Sequence, residues 1–161
     1  MNFEFNGYAG NILEVDLTQG KSKRIPLDLD LASKYIGGKG FAAKYLYDHL
    51  PQGCDPFGSE NLLIFATGPL TGTLAPGSGR CIVSTKGPAT GYWLDANCGG
   101  SFGPEMKMAG LDALIIKGRA PSPVMLVVDD EGMHLRDASD LWKKDTFSTH
   151  QWIKDHLGKE F

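Results

Sequence analysis

The chain has 161 residues, of which 42% are hydrophobic and 22% are charged, and its formal net charge is −3 at pH 7. This length and apolar content suit one domain with a hydrophobic core, and the balanced charge gives no sign of nucleic acid as a partner. The sequence has neither an amino-terminal signal pattern nor an apolar stretch long enough to span a bilayer. We therefore expect a cytoplasmic protein with no membrane partner.

The first half of the chain predicts a hairpin, two helices and a buried strand. Alternating apolar residues favour strands over residues 11–17 and 22–27, and Pro26 near the end of the second strand indicates a sheet edge. Asp30 is a candidate N-cap for the first helix. The remaining predicted elements are that helix over residues 31–36, a second helix over 40–50, and an apolar strand over 61–67 that is typical of the centre of a sheet.

The second half repeats this order of elements. A hairpin over residues 80–85 and 92–96 precedes a helix over 102–109, with Pro104 in its first turn, and an apolar strand over 113–117 follows. The repeated order suggests an internal duplication, with two related sheet units around a pseudo-twofold axis. The alternative is a coincidence between two ordinary stretches of strands and helices.

The last forty residues predict one more hairpin and a helix. The strands are expected over residues 121–128 and 132–136, and the helix begins at Thr146 or Ser148 and ends at Gly158. The sequence as a whole therefore predicts an α+β fold, with mixed β-sheets in two related units and a few helices.

Two glycine-rich stretches, residues 68–79 and 95–103, flank the predicted hairpin of the second half. The chain has 21 glycines in 161 residues, well above the usual ~7%. Glycine lets the backbone approach a ligand closely, and successive backbone N–H groups in turns can converge on an anion. Arg80 closes the first stretch and adds a planar guanidinium suited to phosphate. The pattern predicts a site for a phosphate-bearing heterocyclic ligand, and the alternative is that these stretches are only turns.

Other chemistries find little support in the residues. Residues 99–103 match G-x-S-x-G around Ser101, but no histidine lies nearby in the sequence, and neither common nucleotide-binding glycine pattern is present. Glu105 lies where a carboxylate stabilises the first turn of a helix, and this structural role is favoured over general-base catalysis. The three cysteines, Cys54, Cys81 and Cys98, have no metal-binding spacing and are expected to be buried thiols, with Cys98 the one closest to the candidate site.

Four motifs in register resemble the amino-terminal domain of the aldehyde ferredoxin oxidoreductase family. They are Ala-Thr-Gly-Pro-Leu-Thr-Gly-Thr at 66–73, Gly-Arg at 79–80, Ala-Asn-Cys-Gly-Gly-Ser-Phe-Gly at 96–103 and Lys-Met-Ala-Gly-Leu-Asp at 107–112. The likeness extends to residues 10–18 and 136–139, so it covers nearly the whole chain. It implies the fold of that amino-terminal domain.

The resemblance implies a role for particular residues in binding a bis-pterin cofactor that carries tungsten or molybdenum. Arg80 matches the position that contacts a pterin phosphate, and Asn97 and Gly99 match other pterin-contacting positions, with Gly100 beside them. The backbone carbonyl of Asn97 would also contact the Mg²⁺ that bridges the pterin phosphates. The ligands of the family's 4Fe-4S cluster and its acid–base residues belong to later domains and match nothing in this chain.

The resemblance further implies that residues 1–161 are a single pterin-binding domain, truncated at its C-terminal end, of a longer enzyme that oxidises aldehydes to carboxylic acids. This chain alone is not expected to be active. The expected partners are the remaining domains, ferredoxin or another electron carrier, an aldehyde substrate and, as one option, a second copy in a homodimer. The alternative function is a non-catalytic module that binds a pterin or a phosphate.

Overall fold

A computed structural model describes residues 6–129 and 132–158. The chain forms two compact units, one ending at Arg119 and the other beginning at Ala120. The elements of the first unit are β1 (Asn11–Asp16), β2 (Lys21–Pro26), α1 (Leu29–Tyr35), α2 (Lys39–His49), β3 (Leu63–Ala66), β4 (Cys81–Lys86), β5 (Trp93–Cys98), α3 (Phe102–Met108) and β6 (Ala113–Lys117). No helix in the described part of the chain is both long and apolar enough to cross a bilayer.

The strands of the first unit form one mixed sheet in the order β2-β1-β6-β3-β4-β5. Strands β1 and β6 pair in parallel, and every other neighbouring pair is antiparallel. Strand β2 lies at one edge, as Pro26 predicts, and β3 lies inside the sheet, as its apolar sequence predicts. The α+β class and the mixed sheet are thus confirmed.

The strand order is the one that two related units would produce. Exchanging β1, β2 and β3 for β4, β5 and β6 reproduces the same order read from the other edge. The strand directions break this relation, because β1 is parallel to β6 whereas β4 is antiparallel to β3. The two halves therefore correspond in strand order but not in every strand direction.

Helices α1 and α2 pack on one face of the sheet. Alternate residues of the central strands, among them Ile12, Ile64 and Ile115, join Phe41 and Leu46 of α2 in one buried cluster. Each of these side chains is less than a tenth exposed, and burying such a side chain stabilises a fold by about 1.5–3 kcal/mol. This core holds the central strands in place, and β4 and β5 extend the sheet at the edge opposite β2.

Helix α1 begins earlier than the sequence predicts. Its N-cap is Asp28, whose carboxylate accepts a hydrogen bond from the backbone nitrogen of Asp30 at 3.0 Å, so the prediction of Asp30 as the cap is wrong. Asp30 instead lies in the first turn and forms an exposed ion pair with Lys34. Two aspartates two residues apart both suit a helix start, and the sequence alone does not separate a cap from a first-turn carboxylate.

The second unit contains the predicted hairpin and helix. Strand β7 (Val124–Asp129) pairs antiparallel with β8 (Gly132–Asp137), and residues 130–131 between them lie outside the described residues. A 3₁₀ turn (Ser139–Leu141) precedes α4 (Thr146–Leu157). Asp145 caps α4 by accepting a hydrogen bond from the backbone nitrogen of Ser148 at 2.7 Å, so the prediction of a start at Thr146 is confirmed.

The first turn of α2 leaves no space for a side chain at Gly40. A Cβ there would lie 2.1 Å from the carbonyl oxygen of Tyr35. We expect Gly40→Ala to destabilise the protein by about 1–3 kcal/mol, although alanine is favoured over glycine in helices by ~1 kcal/mol. The midpoint of urea unfolding measures this effect.

The matched control for Gly40 is Gly68→Ala. A Cβ at Gly68 meets nothing within 4 Å, and its backbone lies outside the left-handed region. The midpoint of that variant should stay close to that of the parent protein. Equal midpoints for the two variants would contradict the steric argument.

Candidate functional site: two glycine-rich loops

Pairing of β4 with β5 brings the two glycine-rich loops together. Cys81 lies directly opposite Cys98 in the register, so Arg80 and Gly99, the next residues outward, leave the sheet side by side. The loops then touch, since a Cβ added to Gly79 would lie 3.0 Å from the carbonyl oxygen of Gly100. The predicted neighbourhood of Arg80, Gly99 and Gly100 is therefore present in the structure.

Asn97 lies on a strand and not in the second loop. Strand β5 continues to Cys98, and Asn97 pairs with Ile82, whereas the sequence places the end of this strand at Ala96. The sequence did not predict that the strand includes Asn97 and Cys98, because asparagine is depleted in strands. Asn97 is exposed and precedes Gly99 by two residues, so it still lies at the edge of the candidate site.

The first glycine loop is held in shape by its own hydrogen bonds. The buried hydroxyl of Thr71 accepts from the Gly68 backbone nitrogen at 3.1 Å and donates to the Arg80 carbonyl oxygen at 3.0 Å. The Gly72 backbone nitrogen donates to the Ser78 carbonyl oxygen at 3.0 Å. These bonds fix the main chain at Arg80 while its side chain stays exposed.

Helix α3 closes the base of both loops. A Cβ on Gly103 would lie 3.2 Å from the Thr71 side chain and 3.3 Å from the Arg80 carbonyl carbon. The Phe102 ring also packs on Phe65 of β3, with ring centroids 5.5 Å apart. Gly103 is therefore closely packed within the chain, and a side chain there would have to displace its neighbours.

Gly99 and Gly100 differ from Gly103 in this respect. A Cβ on either residue would meet nothing within 4 Å, and the backbone of Gly99 is outside the left-handed region. The contacts of this chain therefore do not require glycine at position 99. The missing side chain leaves open backbone beside Arg80, which is the arrangement that close approach of a ligand needs.

The Gly37–Gly38 turn also contacts the first loop, which the sequence did not indicate. The Gly38 backbone nitrogen donates to the Thr67 carbonyl oxygen at 2.9 Å. A Cβ on Gly37 would lie 2.7 Å from the same oxygen. The sequence predicts only a connection between two helices here. The structure shows that this turn also packs against Thr67, where the chain leaves β3 and enters the first loop.

Charges near the second loop are already paired. The Lys39 ammonium lies 2.6 Å from the Asp95 carboxylate, and hydrogen bonds from Lys39 and then Trp93 lower the pKa of Asp95. Within residues 6–129 and 132–158, no three His, Cys, Asp or Glu side chains cluster as metal ligands would. Arg80 thus differs from Lys39 in that its exposed guanidinium stands beside open glycine backbone.

A buried ion pair holds a segment of the chain that packs against the first glycine loop. Lys107 and Asp112 pair with side chains 9% and 0% exposed. The Asp112 carboxylate also accepts from the backbone nitrogens of Ala9 at 3.0 Å and Gly10 at 2.6 Å, and Lys107 donates to the Gly7 carbonyl oxygen at 2.7 Å. The sequence offered this pair only as part of a motif and gave no reason for it.

The ion pair reaches the loop through Gly7. A Cβ on Gly7 would lie 2.5 Å from the carbonyl oxygen of Pro69. The segment that Lys107 and Asp112 hold is therefore in direct contact with the first glycine loop.

The cysteines are free thiols, and two of the three are buried as expected. Cys54 and Cys81 are buried, whereas Cys98 is partly exposed. Burial, followed by the neighbouring Cys98, raises the pKa of Cys81 to about 11. The expectation that Cys98 lies near the candidate site agrees with its position next to Gly99.

The chain matches a model of one protein family over residues 12–161, described as "Aldehyde ferredoxin oxidoreductase, N-terminal domain". A tungsten-containing aldehyde ferredoxin oxidoreductase of Pyrococcus abyssi is 48% identical over 152 residues, which are 94% of this chain and 25% of that protein. An aliphatic sulfonate oxidoreductase, WOR-like subunit, of Pyrococcus furiosus is 40% identical over 138 residues, 84% of this chain and 22% of that protein. This chain belongs to the aldehyde ferredoxin oxidoreductase family, in which it corresponds to the N-terminal domain.

A solved structure agrees with this assignment. The active-site complex BamBC of benzoyl coenzyme A reductase, in complex with 1,5-dienoyl-CoA, contains a chain that matches with a TM-score of 0.92 and 42% identity. The match covers 94% of this chain and 23% of that one. The resemblance predicted from the motifs is thus confirmed, and the chain spans about a quarter of the length of the relatives it matches.

Proposed function

We propose that residues 1–161 act as one cofactor-binding domain in a longer tungsten- or molybdenum-pterin oxidoreductase, which oxidises aldehydes to carboxylic acids and passes electrons to ferredoxin. Support comes from relatives 48% and 46% identical that are named tungsten-containing aldehyde ferredoxin oxidoreductases. The observation that carries the proposal is the open glycine backbone at Gly99 and Gly100 beside the exposed Arg80.

The residues of the two loops fit a phosphate-bearing pterin. The Arg80 guanidinium can hold a phosphate through two parallel hydrogen bonds, and the N–H groups around Gly99 can approach the same anion because no side chain intervenes. The Asn97 carbonyl is proposed as a ligand of Mg²⁺, a cation that prefers oxygen ligands. The metal–pterin group would supply the redox chemistry, while these residues bind and orient it.

The remaining components are proposed to lie outside this chain. The ligands of a 4Fe-4S cluster and the residues that move protons at the substrate would come from the other domains, which make up about three quarters of the relatives. Ferredoxin or another electron carrier, the aldehyde and a second copy in a homodimer complete the proposed partners.

The test is the metal and pterin content of the full-length protein that carries this chain. Expressed without oxygen and with tungstate and molybdate supplied, the purified protein should contain tungsten or molybdenum and pterin in fixed proportion, and it should reduce ferredoxin when an aldehyde is added. Pterin content without aldehyde oxidation would favour the non-catalytic binding module. Absence of both pterin and bound phosphate from correctly folded protein would overturn both functions.

A variant at Gly99 tests the proposed contact directly. Gly99→Val adds a side chain where the chain leaves open space, so the unfolding midpoint should change little while the pterin content falls. The matched control is Ala96→Val on the exposed part of β5, which adds the same branched side chain to the same hairpin. Equal pterin content in the two variants would show that no ligand approaches Gly99.

A further inference from the structure

Two thiols face each other where β4 and β5 end. Cys81 and Cys98 are directly opposite in the antiparallel register, so their side chains project from the same face of the sheet. The Cα atoms of such pairs are about 4.5–5.5 Å apart, which lies within the range that disulfides span.

The two thiols differ in their access to solvent. Cys81 is 1% exposed and is covered by α3. A Cβ added to Gly103 of that helix would lie 3.3 Å from the Cβ of Cys81. Cys98 is partly exposed and contacts the Gly99 carbonyl oxygen at 3.6 Å. A reagent from solvent therefore reaches Cys98 first, and Cys81 is the thiol next to it.

We propose that Cys81 and Cys98 form a reversible modification site for small-molecule disulfides. The Cys98 thiolate attacks one sulfur of the reagent, which breaks the S–S bond and releases one small thiol. The Cys81 thiolate then attacks the Cys98 sulfur of this mixed disulfide and releases the second small thiol. The protein loses two hydrogens and two electrons, and the reagent gains them as two thiols.

The resulting cross-link would join the starts of both glycine loops. Arg80 directly precedes Cys81, and Gly99 directly follows Cys98, so the new bond would fix the spacing between Arg80 and Gly99. The proposal depends on the strand pairing and on the access of solvent to Cys98.

Cys54 provides a control within the same chain. It is buried in the connection between α2 and β3, where its thiol donates to the Asp55 carbonyl oxygen at 3.4 Å. Neither of the other two cysteines pairs with it in the sheet register. A small disulfide should therefore leave Cys54 as a free thiol.

The experiment treats the folded full-length protein with oxidised glutathione, alkylates the remaining thiols and maps the peptides by mass spectrometry. We expect the Cys81–Cys98 cross-link in amounts on the order of ten times or more those of the Cys98–glutathione mixed disulfide, because the second step is intramolecular. A reducing agent should restore both thiols. A persistent mixed disulfide at Cys98, or no reaction at either residue, would overturn the proposal.

Serine variants separate the two steps. With Cys81→Ser the mixed disulfide at Cys98 should accumulate, since no second thiol removes it, whereas with Cys98→Ser the buried Cys81 should stay reduced. Cys54→Ser should leave the cross-link unchanged. A cross-link that needs Cys54, or a Cys81 that reacts without Cys98, would contradict the proposed order.

Discussion

Asp112→Ala will lower the free energy of unfolding by about 3–5 kcal/mol, the usual cost of removing one partner from a buried ion pair. The Asp112 carboxylate is fully buried and accepts hydrogen bonds from Ala9, Gly10 and Lys107. Its loss leaves the Lys107 ammonium, 9% exposed, without its counter-charge. Denaturant unfolding followed by circular dichroism measures the change.

Two further variants separate charge from packing. Lys107→Met combined with Asp112→Ala should recover part of the lost stability, because no unpaired charge is then buried. Asp30→Ala removes the acid of an exposed ion pair with Lys34 and should change the unfolding midpoint little. If Asp112→Ala and Asp30→Ala have similar midpoints, the buried pair does not hold the fold together.

Arg80→Ala in the full-length protein will weaken pterin binding by roughly tenfold to a hundredfold and will therefore lower the pterin and metal content of the purified protein. This corresponds to the loss of a charge-assisted contact of about 1.5–3 kcal/mol. The fold should persist because the Arg80 side chain is exposed and its carbonyl still accepts the hydrogen bond from Thr71. Metal analysis and pterin fluorescence of the purified protein measure the change.

Arg80→Lys should restore only part of the cofactor content, since an ammonium keeps the charge but lacks the planar pair of donors. Arg24→Ala is the matched control, because Arg24 is also exposed but lies on β2 at the opposite edge of the sheet. Wild-type cofactor content in Arg80→Ala would show that Arg80 only closes a turn.

The local elements could be predicted because their signals lie in neighbouring residues. The apolar run at Ala113–Lys117 gave β6 with its observed bounds, and Pro26 gave the edge position of β2. The parallel pairing of β1 with β6 could not be predicted, since it joins residues about a hundred positions apart and depends on tertiary packing. The two halves correspond in strand order but not in every strand direction, and the repeated order of elements in the sequence did not indicate this difference.

The candidate site was likewise predicted only in part, where its signals lie in neighbouring residues. The hairpin predicted that Arg80 and Gly99 would meet, and the register brings them together. The role of Asp112 was missed because its partners at Ala9 and Gly10 are some hundred residues away. Gly99 and Gly103 look alike in sequence, and only the structure shows that Gly103 is closely packed whereas the space around Gly99 is open.

The position of β6 between β1 and β3 has a consequence for synthesis of the chain on the ribosome. Until Ala113–Lys117 has emerged, β1 and β3 lack the neighbour that joins them. The nascent polypeptide then holds two separate pieces of sheet, each with an unpaired edge that is prone to wrong association. The last strand of the sheet to be made is the one that joins them, so this unit can reach its native topology only after Lys117 has left the ribosome.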